Sequence, residues 1–269
     1  DQTRAGNLHT TDLPWRLSSW ALDDPANGRL WFDAQGNPAA WALLNTPFWT
    51  LDFVLAPAAE GLLPELLAWA AARMGEIREG PYGHPCWFAA VFPRQAARCA
   101  ALSAAGYADQ SDVGEDSWSK TLLARACPHE MKAYPPPPGF TIRPLDPQTE
   151  IEAYVDLQRE VFESKNMTAE WRRRSLSLGH HPAELDLVAA APDGTLAAFC
   201  VCWLQDSGDG RRWGAVEPLG CASAYRRYAL GRSVLAEGLR RLEAAGAQTI
   251  TVETDRQRNT ALALYQSLG

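Results

Sequence analysis

The sequence predicts a mixed α+β protein made of two tandem domains, each a mixed, mostly antiparallel sheet flanked by helices. Three observations predict it: a length of 269 residues, a run of four prolines at 135–138, and segments that recur in both halves at nearly the same offset. A chain of this length exceeds the usual domain of roughly 100–150 residues. Its 46% apolar and 21% charged residues suit globular cores rather than disorder. "AYPPPPG" (133–139) can neither continue a helix nor join a central ladder, and its prolines favour a semi-rigid polyproline II spacer. The expected division is a first domain over 1–123, a linker over 124–138 and a second domain over 139–269.

The two halves repeat each other. "DAQGNPAAWALL" (33–44) and "APDGTLAAFCVC" (191–202) each set a turn glycine two residues before Ala-Ala, an aromatic and an apolar strand, as a hairpin requires. Gly36 and Gly194 lie 158 residues apart. "CAALSAAGY" (99–107) and "LALYQSLG" (262–269) both end a helical pattern in glycine, and Gly106 and Gly269 lie 163 apart. Two different features at so similar an offset imply duplication of one fold of about 130 residues.

The second half has the clearer order of elements. "DLVAAAPDGTLAAFCVCWL" reads as two strands around a Pro-Asp-Gly turn, and "RRWGAVEPLGCAS" as a third strand interrupted by Pro218. A helix over about 229–244 carries Leu230, Val234, Leu235, Leu239 and Leu242 on one face, and Gly246 stops it. "TITVET" alternates as a strand, and "NTALALYQSL" is a last helix capped by Asn259. The first half supplies "GYADQSDVGEDSWSKTLL" after its glycine, where its last strands are expected. The sequence given stops at Gly269, so the second half is expected to lack its final strand, and the start at Asp1 implies that the natural amino terminus lies upstream.

Composition excludes several classes. No apolar run approaches the ~20 residues of a membrane span and nothing at the amino end reads as a signal peptide, so a cytoplasmic location without a membrane partner is expected. Six cysteines lack C-x-x-C spacing and a nearby histidine cluster, so no metal is expected. Cys200 and Cys202 are expected as small buried residues on one strand face. "GHHP" (179–182) is expected as a surface loop and "WRRRS" (171–175) as a solvated helix face. With a net charge of −7 and no basic stripe, nucleic acid is not expected as a partner.

Against that acidic background, "SAYRRYALGRSVL" (223–235) gathers three arginines at a helix start. A helix amino terminus presents unpaired N–H groups and partial positive charge, which suits phosphate oxygens. Ala229 and Gly231 leave room for close approach, and Arg226, Arg227 and Arg232 can add charge-assisted bonds. Pro218 breaks the preceding strand and leaves backbone groups for an extended ligand. A ligand that is peptide-like at one end and a pyrophosphate at the other fits both features, and coenzyme A is such a molecule.

"EPLGCASAYRRYALGRSVLAEGLRRL", followed by "TITVETDRQRNTALALYQSLG", resembles the core motifs of the GNAT superfamily of acetyl-CoA-dependent N-acetyltransferases. Arg226, Ala229 and Gly231 match its loop pattern, with Ala229 in place of the usual glycine, and Tyr265 and Gly269 match its tyrosine four residues before a helix-ending glycine. The resemblance is clear over about 185–269 and fainter in the first half, and the tandem arrangement resembles mycothiol synthase-type proteins.

The resemblance implies an acyltransferase that uses acetyl-CoA as cosubstrate and acetylates a primary amine of a small molecule or peptide. It implies that N–H groups near Leu219 and Cys221 hold the pantetheine arm and the thioester oxyanion, and that the turn Arg226, Arg227, Tyr228, Ala229, Leu230, Gly231 and Arg232 binds the pyrophosphate. Tyr265 is then the acid for the departing thiolate and Glu217 the base for the amine. Asn259 stands one residue nearer the tyrosine than the asparagine that usually contacts coenzyme A. The first half has Leu102 where the second has Tyr265, and brings Glu60 rather than arginine to a helix start, so it is expected to keep the fold without the chemistry. Other acyl-CoA donors, a non-amine acceptor, a non-catalytic scaffold, and either a monomer or a homodimer remain open.

Overall fold

The computed structural model describes residues 8–80, 83–113, 119–177, 182–206 and 210–269. The chain divides into two compact units, one comprising Trp15–Asp109 and the other Gln110–Gly269 with Thr10–Pro14. After the short helix α1 (Leu13–Leu17), strands β1 (Gly28–Phe32), β2 (Pro38–Asn45) and β3 (Thr50–Leu55) form an antiparallel sheet in that order. Helices α2 (Leu63–Ile77) and α3 (Ala96–Ala104) complete the first unit. Period-two alternation puts Trp31, Ala42, Leu44, Leu51 and Phe53 on one face, where they pack with Leu66 and Leu67 of α2 and Leu102 of α3.

The second unit has a six-stranded sheet. Its strands are β4 (Lys120–Ala126), β5 (Thr141–Pro144), β6 (Asp186–Ala190), β7 (Leu196–Asp206), β8 (Arg212–Cys221) and β9 (Thr249–Asp255), in the order β4-β9-β8-β7-β6-β5. Among the described residues of this sheet, only β8 and β9 pair in parallel. The helices are α4 (Ile151–Phe162), α5 (Ala169–Ser177), α6 (Leu230–Ala244) and α7 (Asn259–Gln266). Cys200 and Cys202 face α6 with their sulfurs 3.6 Å apart, both buried. The intervening alternation turns Phe199 the other way, onto Tyr154 and Phe162 of α4. Helices therefore cover both faces, as the sequence predicted.

The repeated turns have the same hydrogen bonds. Gly36 N–H donates to Asp33 O and Asp33 N–H to Asn37 O, while Gly194 N–H donates to Ala191 O and Ala191 N–H to Thr195 O. Both glycines have positive φ, 82° and 88°, which an L side chain resists. Gly106 and Gly246 end α3 and α6 alike, with Tyr107 N–H on Leu102 O and Ala247 N–H on Leu242 O.

Three expectations change. The strand expected to help close the first half lies at Lys120–Ala126 and pairs antiparallel with β9, so it extends the sheet of the second unit and overlaps the expected start of the linker. Arg125 fastens it, donating to Leu268 O at 2.8 Å and pairing with Glu243 at 3.3 Å. "WRRRS" is not a solvated face throughout: Arg172 is fully buried, paired with Asp186, and lies 4.1 Å over the ring of Tyr154. Asn259 does not cap α7. The cap position is Arg258, and Asp255 turns the chain by accepting from the N–H groups of Gln257 and Arg258. The helix expected over about 229–244 is present as Leu230–Ala244, with Ala229 before it left-handed. "GHHP" lies outside the described residues except for Pro182.

Candidate active site

The site begins where two parallel strands part. The β8–β9 ladder runs from Trp213↔Thr249 to Val216↔Val252 and stops. Beyond it β8 continues with Leu219, Gly220 and Cys221 on β7, while β9 continues to Asp255 on β4. A bulge lies at the parting, since Cys202 faces Val216 but Cys200 faces Leu219. Glu217 and Pro218 thus oppose the single residue Val201. A proline with no N–H to donate accounts for the interruption the sequence predicted.

Backbone direction follows from the register. Ala222 N–H donates to Ala197 O of β7 at 2.9 Å, so strand alternation turns the N–H groups of Leu219 and Cys221 away from β7, toward the gap. Glu217 O accepts from the Trp203 indole at 2.6 Å, which holds the bulge against the sheet.

The turn after β8 is a run of unsatisfied donors. The backbone passes through a short 3-10 turn at Ser223–Tyr225, then alternates, with positive φ at Arg227 (72°) and Ala229 (61°), before α6 starts at Leu230. Among the described residues no group accepts from the N–H groups of Arg227 to Arg232; the first paired one is Ser233, on Ala229 O at 3.0 Å. Successive N–H groups on backbone of alternating hand form a concave anion site. Leu230 is buried and anchors the helix start, while Arg226, Arg227, Tyr228 and Arg232 are exposed. Among the described residues, none of these arginines has an ion-pair partner within 4 Å. A Cβ on Gly231 would meet only Leu264 Cδ2, at 3.9 Å, so the turn stays open on its outer side. Charge, donors and gap all fit a coenzyme A pyrophosphate and its extended arm.

Tyr265 reaches the same region from α7. It packs against the core that includes Leu235, Val216 and Cys200. Burial pushes its phenol up to about 12; Cys200 and the nearby Glu217 carboxylate push the same way, and Arg258 opposes them. The fold therefore brings Glu217 and Tyr265 within electrostatic range of each other. A cavity of about 240 Å³ adjoins Tyr265, lined in part by Val216, Val252, Leu123 and Leu239. Asn259 is exposed and stands six residues before Tyr265, about 240° around the helix, so it is not brought to the phenol.

Two residues escaped the sequence reading. Arg258 is seven residues, about two helical turns, before Tyr265, a spacing that puts both on one side and could have been read from the sequence. Glu160, at the end of α4, accepts from Ser223 N–H at 2.9 Å and Ser223 Oγ at 2.8 Å. These bonds hold its carboxyl below the usual range. A separation of 63 residues left no local signal for that contact.

In the first unit the corresponding elements carry different groups. β3 meets Phe88 in one parallel bridge, and its helix start is occupied by Glu60, whose carboxylate pairs with the mostly buried Arg98. Leu102 packs in the core there. Among the described residues no group of three or more His, Cys, Asp or Glu could hold a metal, and no helix is long and apolar enough to cross a membrane.

Residues 151–269 match the acetyltransferase (GNAT) family. Over 140 residues the chain is 26% identical to mycothiol acetyltransferase of Salinispora tropica and 27% identical to that of Salinispora arenicola. Each match covers 50% of this chain and 46% of the relative, so the chain spans about half the length of the curated relatives it matches. The crystal structure of a GCN5-related N-acetyltransferase from Sphaerobacter thermophilus is similar with a TM-score of 0.62 at 19% identity, over 90% of this chain and 76% of that one. That likeness establishes the fold across both units.

Proposed function

We propose that this chain, whose residues 151–269 match the acetyltransferase (GNAT) family, transfers an acetyl group from acetyl-CoA to a primary amine of a small molecule or peptide, at a site in its carboxyl-terminal unit. The observation that carries the reading is the run of unsatisfied N–H groups from Arg227 to Arg232 beside the parting of β8 and β9. The family match and the two curated mycothiol acetyltransferases support it.

When bound, acetyl-CoA supplies an acetyl group activated as a thioester. The Arg227–Arg232 donors and the arginine side chains hold its pyrophosphate. The N–H groups of Leu219 and Cys221 face the gap and bind the arm and the thioester oxygen, where preorganised donors are most effective against developing charge. The Glu217 carboxylate accepts a proton from the amine nitrogen. The Tyr265 phenol, which is protonated at neutral pH as any phenol is and which burial holds more firmly in that form, donates to the departing sulfur. In the first unit the Glu60 carboxylate stands where phosphate would have to bind, so the coenzyme is held in the second alone.

Thiol release from acetyl-CoA against a panel of amines, with the product identified by mass spectrometry, tests the activity. Arg226→Ala is expected to weaken coenzyme A binding by about 1.5–3 kcal/mol, with a smaller loss for an analogue lacking the pyrophosphate. No coenzyme A binding and no amine-dependent release would refute the reading.

A further inference from the structure

The proline-rich segment is not a free spacer. From Tyr134 to Phe140 it touches the α6 turn at both ends. The Arg232 guanidinium lies 5.6 Å over the Tyr134 ring, and the buried Ser233 hydroxyl donates to Pro135 O at 3.1 Å. Phe140 then meets Tyr225 edge-on at 5.8 Å and Tyr228 at 6.0 Å. Two consecutive segment residues thus hold two consecutive residues of the first turn of α6.

We propose that this segment is a brace for the coenzyme site, with Tyr134 the positioning residue that orients Arg232 toward the bound pyrophosphate. The inference rests on the coenzyme reading above and adds to it a role for residues outside the GNAT motif. The physical reason lies in the kind of contact. A carboxylate would orient Arg232 equally well but neutralise it, whereas an aromatic face holds a guanidinium and leaves its charge available to phosphate. Among the described residues Arg232 has no carboxylate partner within 4 Å. The prolines serve the same end. Polyproline backbone has no internal hydrogen bonds, so Pro135 O is free to accept from Ser233, and its fixed φ means that little chain freedom is lost in holding the turn.

The test is coenzyme A titration by calorimetry on the full chain. Tyr134→Leu keeps apolar packing against the neighbouring core and removes the ring face; Tyr134→Phe keeps the face. The expected result is a dissociation constant raised about 2- to 5-fold in Tyr134→Leu and unchanged in Tyr134→Phe, with the same melting temperature in both. In an Arg232→Ala background, Tyr134→Leu is expected to add no further loss, because the ring then has nothing to orient. An unchanged affinity in Tyr134→Leu, or an equal loss with and without Arg232, would overturn the brace while leaving the coenzyme site standing. Failure of the unaltered chain to bind coenzyme A would overturn both.

Discussion

Replacing Tyr265 by Phe removes one oxygen and leaves the ring that packs on the α6 face. Two consequences follow from the same partly buried phenol. If it supplies the proton to the leaving sulfur, the single-turnover rate should fall roughly 10²- to 10⁴-fold while coenzyme A affinity stays within a few-fold. The second consequence concerns stability against pH. The phenol is raised in the folded state from 10.0 to about 12. Below pH 10 it is protonated in both states and its contribution is complete. Between pH 10 and about 12 the unfolded chain ionises and the folded one does not, so stability is lost as pH rises. Over that interval the loss amounts to about 3 kcal/mol at most. Tyr107 and Tyr154 are also raised by burial, so the informative quantity is the difference between denaturation curves of the two proteins from pH 8 to 12. That difference should be flat to about pH 10 and then shift in favour of the Phe variant. A near-normal rate would remove Tyr265 from the chemistry, and parallel alkaline curves would show that its phenol is not shielded in the folded state.

Three other outcomes are expected. Calorimetry should give one coenzyme A site per chain, since Glu60 and Arg98 occupy the helix start of the first unit; two sites of similar affinity would contradict this. Ala229→Gly should stabilise the protein by about 0.5–1 kcal/mol, because alanine at φ 61° is strained where glycine is not and glycine's greater freedom when unfolded offsets only part of the gain; a lower melting temperature would contradict it. Gly220→Ala should destabilise by roughly 1–3 kcal/mol, since its Cβ would lie 2.4 Å from Phe199 Cζ and 2.7 Å from Val161 Cγ1; an unchanged denaturation midpoint would show that the β7–α4 packing yields.

What could be read along the chain was whatever a few neighbouring residues decide. The turns at Gly36 and Gly194 close through bonds within five residues, and Gly246 ends α6 through bonds to its own last turn. The open donors at Arg227–Arg232 follow from where a helix starts, and the bulge at Pro218 from a missing N–H. These local signals stood in the right order along the chain, so the fold class, the two glycine turns and the open start of α6 were legible from the sequence. The tertiary structure decided which distant groups meet. A strand has two edges and no local record of its partner, so only the folded sheet sets Lys120–Ala126 on β9. An arginine run does not say which member finds a buried carboxylate, and Arg172 is buried because Asp186 lies on the strand beneath it. Polyproline reads as a spacer wherever it occurs, and Tyr134 becomes a contact of Arg232 only because the chain passes the start of α6, 98 residues further on. Backbone conformation is settled over a few residues; the pairing of charges, rings and strand edges depends on contacts that sequence distance does not encode.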